Sequence, residues 1–486
     1  MSIKEALIQI AGEKSVTDEP AKMKTFIESN CLDPCRAPNY VVRAKNVQEV
    51  QRIVQLANEA TMPVVPASSG IHFNGNAVTS QGGIIIDLSG MKKIVEFDER
   101  NRKVMVEPGV TWKELSTRLK KKQAMTMIPL LPHPRSSVMT ACLERQPALN
   151  PQFEYGEPIS SMEMVWPTGE YFRTGTASST GYPQNFADGG YPYGPGPIDP
   201  IRLLQGAQGT MGIVTWANIK TEYLPPVNKS FFIGFESGEM MVEAMYAIQR
   251  RRIGHECLAL DRVNLGTILA KDMDSDYFRL QSALPGWAIL LILGGGRWFP
   301  EEKIAFHEEA LRELQANVFP NSPLSEVIPE YGSTRTLPDL LRNPWPEDST
   351  YWKWRLKGAC QEMFFVTLLE KAPMFADTLT DIVSDCGFDT TCLGRYIQPI
   401  ENASAAHVEF DFYYDPDDPE EIAVTEIAYA AAIEAALKLE AHFSRPYGKI
   451  MSDLVYEKAG SYTALLKQTK DIFDPNRILN PGKLLP

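Results

Sequence analysis

The stretch PVVPASSGIHFNGNA, residues 63–77, decides which fold the sequence predicts. Val64 and Val65 are typical of the end of a buried strand, and we expect Pro66 to end it. Small and turn-forming residues follow, and they let consecutive backbone N–H groups converge on one point and form an anion-binding concavity. A pyrophosphate is the natural occupant of such a concavity, whereas the alternative is an exposed loop between two strands. The small and turn-forming residues are Ser68, Ser69, Gly70, Gly75 and Asn76.

The segments on either side of this loop predict alternating helices and strands. Apolar side chains in 47–57 recur at helical spacing, and Asn46 is a suitable N-cap for that helix. The run 83–88 is typical of a strand, and Leu115 with Leu119 marks a further helix. This alternation predicts an α+β domain with mixed sheets.

Five pieces of sequence, in order along nearly the whole chain, carry a resemblance to a known superfamily. The first is YVVRAKNVQEV at 40–50, and the second is the loop pattern P-x-x-x-G-x-x-x-x-G-x-A at 66–77. The other three are IDLS with VEPGVTW (86–89 and 106–112), GAQGTMGIVT (206–215) and FDPNRILNPGK (473–483). On these pieces the chain resembles the vanillyl-alcohol oxidase/p-cresol methylhydroxylase (PCMH) flavoprotein superfamily.

The resemblance implies the fold class, which is α+β with a PCMH-type two-subdomain FAD-binding domain and an antiparallel-sheet cap domain. Pro225 and Pro226 are typical of a linker between the two domains. We therefore expect an N-terminal helical segment at 1–36, the FAD-binding domain at 37–225, the cap or substrate domain at 226–440, and a C-terminal return to the FAD-binding domain at 441–486.

The resemblance also implies FAD as the cofactor and indicates which residues contact it. Glycines let the backbone approach the ring system closely, although a tight hairpin is the alternative for the segment 206–213. Some relatives bond the flavin to a histidine where Ile71 stands here, so covalent attachment through this loop is not expected. The predicted cofactor contacts are Pro66, Ala67, Ser68, Ser69, Gly70, Ile71, Gly75, Asn76, Pro108, Ser136, Ser137, Thr140, Gly206, Gly209, Gly212, Ile213, Asn480 and Lys483.

Two stretches are candidates for the substrate site. In AAHVEFD the residues His407, Glu409 and Asp411 alternate, so they share one face of a strand, which is either solvated or lines a site. Arg445 matches the arginine of a Tyr–Arg pair that holds a phenolate in the phenol-oxidising branch of the superfamily. Ser444 replaces that tyrosine, and Tyr447 is the nearest other hydroxyl. The alternative for Arg445 is a structural pair with an acid.

The resemblance implies an FAD-dependent oxidoreductase that transfers hydride from a 4-hydroxybenzyl-type or related alcohol to flavin N5. Arg445 and Tyr447, with Arg395 and Tyr396, would fix an oxygen anion of the substrate. His407 or Glu409 would accept a proton or orient water.

Two alternative functions stay open. One is a 2-hydroxy-acid dehydrogenase, lactate- or glycolate-like, with metal-assisted substrate binding; the other is a flavoprotein subunit of an electron-transfer complex. The hydroxy-acid branch has metal-binding histidines near His407, but the chain lacks the later glutamate–histidine–glycine signature of that branch. We therefore expect no metal site.

Composition restricts the partners. The chain has 486 residues and a formal net charge of −13, which argues against nucleic-acid binding. Seven cysteines without metal-site spacing indicate reduced thiols, and no apolar run is long enough to span a membrane. We expect a cytoplasmic homo-oligomer that takes a small-molecule substrate and has either oxygen or a protein as its electron acceptor. The segment 181–197 is a lid, an oligomer contact or an insertion.

Overall fold

The computed structural model describes residues 1–26, 32, 36–69, 71, 74–151, 157–178, 194 and 199–484. Three large sheets and one short hairpin form the framework of this part of the chain. The strands are β1 (Val16–Thr17), β2 (Tyr40–Arg43), β3 (Val64–Ala67), β4 (Ile84–Asp87), β5 (Ile94–Asp98), β6 (Lys103–Val106), β7 (Ala124–Thr126), β8 (Ile159–Val165), β9 (Tyr171–Gly175), β10 (Ile213–Tyr223), β11 (Asn228–Phe235), β12 (Glu256–Asp261), β13 (Trp287–Gly294), β14 (Val327–Ile328), β15 (Gly332–Ser333), β16 (Ala359–Thr367), β17 (Leu393–Ile400) and β18 (Ala405–Tyr414). The helices are α1 (Ile3–Ala11), α2 (Pro20–Met23), α3 (Val47–Glu59), α4 (Trp112–Lys120), α5 (Val138–Leu143), α6 (Gly238–Arg250), α7 (Arg262–Leu269), α8 (Tyr277–Ala283), α9 (Pro300–Val318), α10 (Leu337–Leu341), α11 (Ala372–Asp385), α12 (Pro419–Lys438), α13 (Gly448–Lys458) and α14 (Ser461–Phe473).

The first sheet has the order β1-β2-β4-β3, with β2, β4 and β3 parallel. Helix α3 begins after Asn46, whose side chain accepts a hydrogen bond from a backbone N–H of the first turn, as predicted. The prediction that Pro66 ends the strand is wrong, because β3 continues to Ala67. A proline is tolerated there since β3 is an edge strand and one side of it needs no N–H donor.

The C-terminal motif packs on that same edge. Val64 N donates to Ile478 O at 2.7 Å, and Asn480 N donates to Val64 O at 2.8 Å. The segment around residue 480 therefore lies beside the strand that leads into the predicted pyrophosphate loop.

The second sheet is antiparallel with the order β5-β6-β10-β8-β9, and β7 pairs with the far end of β10. Its central strand β10 begins at Ile213, directly after the glycine-containing segment 206–212. The segment 206–212 therefore leads directly into the longest strand of this sheet.

The third sheet is antiparallel with the order β11-β13-β12-β17-β18-β16 and is buried on both faces. On one face Phe231 and Leu291 pack with helices α6, α9, α11 and α12, whereas Phe232 and Leu290 pack on the other face with residues of the second sheet. Burial on both sides explains the continuous apolar run of β13, since neither face needs polar residues. The α+β class with mixed sheets and an antiparallel sheet is confirmed, and the three boundaries between the four predicted segments stay predictions.

Strand β18 presents its polar residues to the side away from the helices. Val408, Phe410 and Phe412 pack with the helices. Because side chains alternate along a strand, His407, Glu409 and Asp411 point the other way, toward the first two sheets. The predicted shared face of these three residues is therefore present, and it is buried rather than solvated.

Candidate active site

A cleft lies between the loops of the first two sheets and the polar face of the third, and it encloses about 1650 Å³ of empty space including its open part. Twelve predicted cofactor contacts line it: Pro66, Ser68, Ser69, Ile71, Asn76, Pro108, Ser136, Ser137, Thr140, Gly209, Gly212 and Ile213. Ala67, Gly75, Gly206, Asn480 and Lys483 are not among its lining residues. Gly70, like His72, lies outside the described residues, as does nearly all of 181–197.

Close packing holds the separate loops of this cleft together. Gly209 adopts a positive φ of 71°, and a Cβ added there would lie 2.6 Å from Cγ of Pro66, so a larger residue would push the two segments apart. The side-chain amide of Asn480 donates to Asn76 O at 2.8 Å and to Gln208 O at 2.7 Å. Asn480 therefore supports the cleft from behind its lining, whereas Gly209 belongs to the lining and also sets the distance to Pro66.

The capped helix α5 supplies another wall. Ser137 Oγ caps the helix by accepting from Thr140 N and donates to Pro108 O at 2.6 Å. The hydroxyls of Ser68 and Thr140 lie 2.8 Å apart and join this wall to the first loop. The five predicted segments of the cofactor site, around residues 66–76, 108, 136–140, 206–213 and 480, are linked by these contacts.

Buried polar atoms in the cleft fit a dinucleotide such as FAD. Ser69 Oγ, Asn76 Oδ1 and Gln208 Oε1 are buried and have no hydrogen-bond partner among the described residues. A hydroxyl can donate to a phosphate, and the two amide oxygens can accept from ribityl hydroxyls or a ring N–H. Since buried polar groups are normally paired, these atoms are suited to a polar ligand.

His407 and Glu409 form a buried pair at the other end of the cleft. His407 Nε2 lies 3.0 Å from Glu409 Oε2, and Nδ1 has no partner among the described residues. Burial, together with the positive charge of Arg445, holds the pKa of His407 well below its usual value. The ring is therefore neutral, and a proton on Nε2 directed at Glu409 leaves the Nδ1 lone pair available as a base.

Lys353, which the sequence analysis missed, lies among three carboxylates at this end. Its Nζ is 2.6 Å from Glu362 Oε1, 2.5 Å from Glu409 Oε1 and 2.9 Å from Asp411 Oδ1. Burial lowers the pKa of Lys353, but the three carboxylates outweigh burial and raise it well above its usual value. In the strand ACQEMFFVT, a glutamate among mostly apolar residues was a signal of a buried polar site. Nothing in the local sequence connects this glutamate to Lys353.

Arg445 and Tyr447 are both tied to Glu144, a second residue that the sequence analysis missed. Arg445 Nη1 donates to the backbone O of Glu144, and Tyr447 OH donates to Glu144 Oε2 at 2.7 Å. Burial raises the pKa of Glu144, and Tyr447 and Arg445 partly offset that effect. The Arg445 guanidinium also lies 4.5 Å from the ring centroid of Phe364. Arg445 therefore contacts the segment that carries Glu144 and also lines the cleft.

Arg395 and Tyr396 lie on opposite faces of β17. Tyr396 lines the cleft and donates from its hydroxyl to Gln398 Oε1 at 2.9 Å. Arg395 does not line the cleft, because its guanidinium contacts Asp261 Oδ2 at 3.4 Å and Thr380 Oγ1 at 2.6 Å. The two adjacent residues, which were predicted to act together, are separated by the alternation of the strand.

Comparisons with known proteins agree with this geometry. The model of the FAD binding domain family matches residues 38–175, and that of the FAD linked oxidases, C-terminal domain, matches residues 395–484. The crystal structure of p-cresol methylhydroxylase with substrate bound is similar with a TM-score of 0.81 and 19% identity, over 99% of this chain and 95% of that chain. The 4-ethylphenol oxidase of Gulosibacter chungangensis, in an isoeugenol complex, is similar with a TM-score of 0.82 and 20% identity, over 99% and 96%. Two regions of this chain therefore match FAD-binding and FAD-linked oxidase families, and the chain is an FAD-dependent oxidoreductase that resembles PCMH-type flavoproteins.

Two curated relatives of this oxidoreductase are named for hydroxy acids rather than for phenols. The mitochondrial D-lactate dehydrogenase (cytochrome) of Arabidopsis thaliana is 23% identical over 92% of this chain and 74% of that protein. The glycolate oxidase subunit GlcD of Bacillus subtilis (strain 168) is 23% identical over 99% of this chain and 96% of that protein. FAD as the cofactor and the oxidoreductase class are confirmed, whereas the substrate stays open between phenolic and hydroxy-acid classes.

Two further observations concern membrane-crossing helices and the cysteines. Within the described part of the chain, no helix is both long enough and apolar enough to cross a membrane. Cys142, Cys257, Cys360, Cys386 and Cys392 are free thiols in the structure, and Cys31 and Cys35 lie outside its described residues.

Proposed function

We propose that this flavoprotein oxidises a 4-hydroxybenzyl-type or related aromatic alcohol. The observation that carries the proposal is the placement of Phe364, which packs against His407, with ring centroids 5.5 Å apart, and against the Arg445 guanidinium, 4.5 Å from its ring centroid. A base and a cation therefore contact the same aromatic wall. Other aromatic side chains that line the cleft are Tyr351, Trp352, Tyr396 and Tyr447.

The residues of the chain act as follows in this proposal. His407 Nδ1 accepts the hydroxyl proton of the substrate, and Glu409 stabilises the resulting imidazolium through Nε2–H. Arg445 holds the phenolate oxygen by charge-assisted hydrogen bonds, and Tyr447, whose hydroxyl donates to Glu144, positions the wall of the cleft beside it. A bound FAD would supply the acceptor for the hydride that leaves the carbinol carbon. The alcohol thus loses one proton and one hydride and becomes an aldehyde.

A 2-hydroxy acid is the second candidate substrate. A buried guanidinium holds a carboxylate as well as it holds a phenolate, and Arg445 is 2% exposed. The names of the D-lactate and glycolate relatives support this candidate. His407 would have the same role, because a secondary alcohol also loses a proton and a hydride.

Anaerobic bleaching of the flavin distinguishes the candidates. The purified, FAD-loaded protein is mixed with 4-hydroxybenzyl alcohols or with D-lactate and glycolate, and absorbance near 450 nm, a general flavin property, is followed. Bleaching by the phenolic alcohols supports the proposal, and bleaching by the hydroxy acids alone overturns it in favour of the second candidate. A yellow protein that none of these compounds reduces supports the third function, a subunit that passes electrons between partners.

Three further features stay predictions. They are a homo-oligomeric state, a cytoplasmic location and the choice between oxygen and a protein as electron acceptor. Oxygen consumption during turnover, compared with reduction of an added artificial acceptor, tests the last of these.

A further inference from the structure

Three carboxylates in the wall of the cleft form a cage around one cation. One oxygen from each of Glu362, Glu409 and Asp411 lies within 4.8 Å of the others, a spacing suited to a metal ion. The ammonium of Lys353 contacts all three of these acids at 2.5–2.9 Å. The position that a divalent cation would take is therefore already filled by a side chain of the protein.

The second oxygen of each carboxylate also has a fixed partner. Glu362 Oε2 accepts from Asn74 Nδ2 at 3.0 Å, and Asp411 Oδ2 accepts from Asn264 Nδ2 at 2.7 Å. Glu409 Oε2 pairs with His407. These outer contacts hold the three inner oxygens in place, so the cage does not depend on Lys353 alone for its shape.

We propose that Lys353 is the resident cation of the substrate end, that it excludes a divalent metal from the three-carboxylate cage, and that the enzyme therefore works without a metal. A metal ion bound to these carboxylates would lie against the ammonium, and the two positive charges would repel each other. Lys353 is 5% exposed and lies 5.0 Å from the ring centroid of Trp352, so its side chain cannot leave without repacking.

Lys353 is also a positioning residue for the base. It binds Oε1 of Glu409 and leaves Oε2 for His407, which fixes the direction of the histidine ring. This second role depends on the proposed function, since it concerns His407 as a proton acceptor. The exclusion of metal does not depend on it and can be measured without any substrate.

The test replaces the ammonium with an apolar side chain of similar length in Lys353→Met. Wild-type and variant holoenzymes are incubated with Mn²⁺, a metal that carboxylates bind, then desalted and analysed for metal and melting temperature. We expect about one Mn²⁺ per chain and a higher melting temperature with Mn²⁺ for Lys353→Met, and neither effect for the wild type. Lys357→Met is the matched control, because Lys357 pairs with Glu421 in a partly exposed ion pair outside the cleft.

A variant with three uncompensated buried carboxylates could fail to fold. The double variant Lys353→Met/Glu362→Gln removes one positive and one negative charge. The formal net charge of the cage therefore stays at −2, because one lysine and three acids give −2 in the wild type and two acids give −2 in the double variant. We expect this double variant to fold without metal and to bind Mn²⁺ more weakly than the single variant. Rescue of single-variant folding by Mn²⁺ supports the proposal.

Two results would overturn the proposal. One is a folded single or double variant that takes up no more Mn²⁺ than the Lys357→Met control. The other is a wild-type enzyme whose turnover is lost with EDTA and restored by Mn²⁺. If the enzyme oxidises hydroxy acids rather than phenolic alcohols but shows the expected difference in Mn²⁺ uptake, the proposed substrate is wrong and the proposal for Lys353 stands.

Discussion

The two ends of the cleft are built in different ways. At the cofactor end, backbone segments and small side chains converge, and packing such as that of Gly209 on Pro66 sets their spacing. At the substrate end, charged side chains from β16, β18 and the segment around Trp352 meet in a buried network. Asn74 joins the two, because it belongs to the first loop and donates to Glu362.

Because of this difference, the two ends should be sensitive to different kinds of substitution. A cofactor end made of close backbone contacts is sensitive to added volume, since an interior at close packing cannot absorb an extra methyl group. A substrate end made of paired charges is sensitive to removal of one partner, because the remaining charge is left buried. Variants at the first end should change FAD content, whereas variants at the second should change turnover with FAD retained.

Gly209→Ala should have the broadest effect, because a chain that loses FAD loses every later step of the reaction. The new Cβ would meet the Pro66 ring and would also require a positive φ, so we expect at least a tenfold loss of FAD affinity, or about 1.4 kcal/mol or more. Flavin absorbance per chain after gel filtration measures the loss. Gly387→Ala is the matched control, because Gly387 has a φ of +86° but open space around its Cβ. Equal FAD content in both variants would contradict the close-packing account of this end.

His407→Gln should have the next largest effect, and on turnover alone. Loss of a general base typically costs about 10²–10⁴ in rate, and glutamine keeps a polar side chain near Glu409 without a basic nitrogen. Single-turnover bleaching of the FAD-loaded variant measures the change. His307→Gln, on the partly exposed helix α9, should behave like the wild type. Normal bleaching by His407→Gln would remove His407 from the proposed mechanism.

Arg445→Met should reduce kcat/KM by about 10- to 100-fold, because a hydrogen bond to a charged group contributes about 1.5–3 kcal/mol. Steady-state kinetics on the accepted substrate give the value, and FAD content should not change. Arg395→Met is the comparison, since Arg395 was predicted to share this role but contacts Asp261 and Thr380 away from the cleft. A larger loss in Arg395→Met than in Arg445→Met would reverse the assignment of the two arginines.

The sequence was more informative about the cofactor end for a physical reason. Glycines, small residues and a proline in a short segment restrict the backbone locally, so the loop 63–77 and the segment 206–213 each carried a local signal. That signal became specific only through the order of five such pieces along the chain. Lys353 and Glu144 could not be recognised in this way, because their importance arises from contacts with residues 56 and 303 positions further along the chain. The alternation of His407 and Glu409 was visible, but whether their shared face is buried or solvated depends on what packs against it in the folded chain.

Asp261→Asn should have the smallest effect on turnover and should change the pH dependence of stability instead. Burial raises the pKa of Asp261 to about 6 from 3.8, with Arg395 partly offsetting the shift. Between these two pH values the folded chain holds a proton that the unfolded chain has lost, so the free energy of unfolding falls as pH rises. The stability of the wild type relative to Asp261→Asn should therefore decline by up to about 1.4 kcal/mol per pH unit between pH 4 and 6 and level off above pH 6. Urea unfolding of both proteins across this range measures the difference. A parallel pH dependence in the two proteins would show that Asp261 ionises normally in the folded chain.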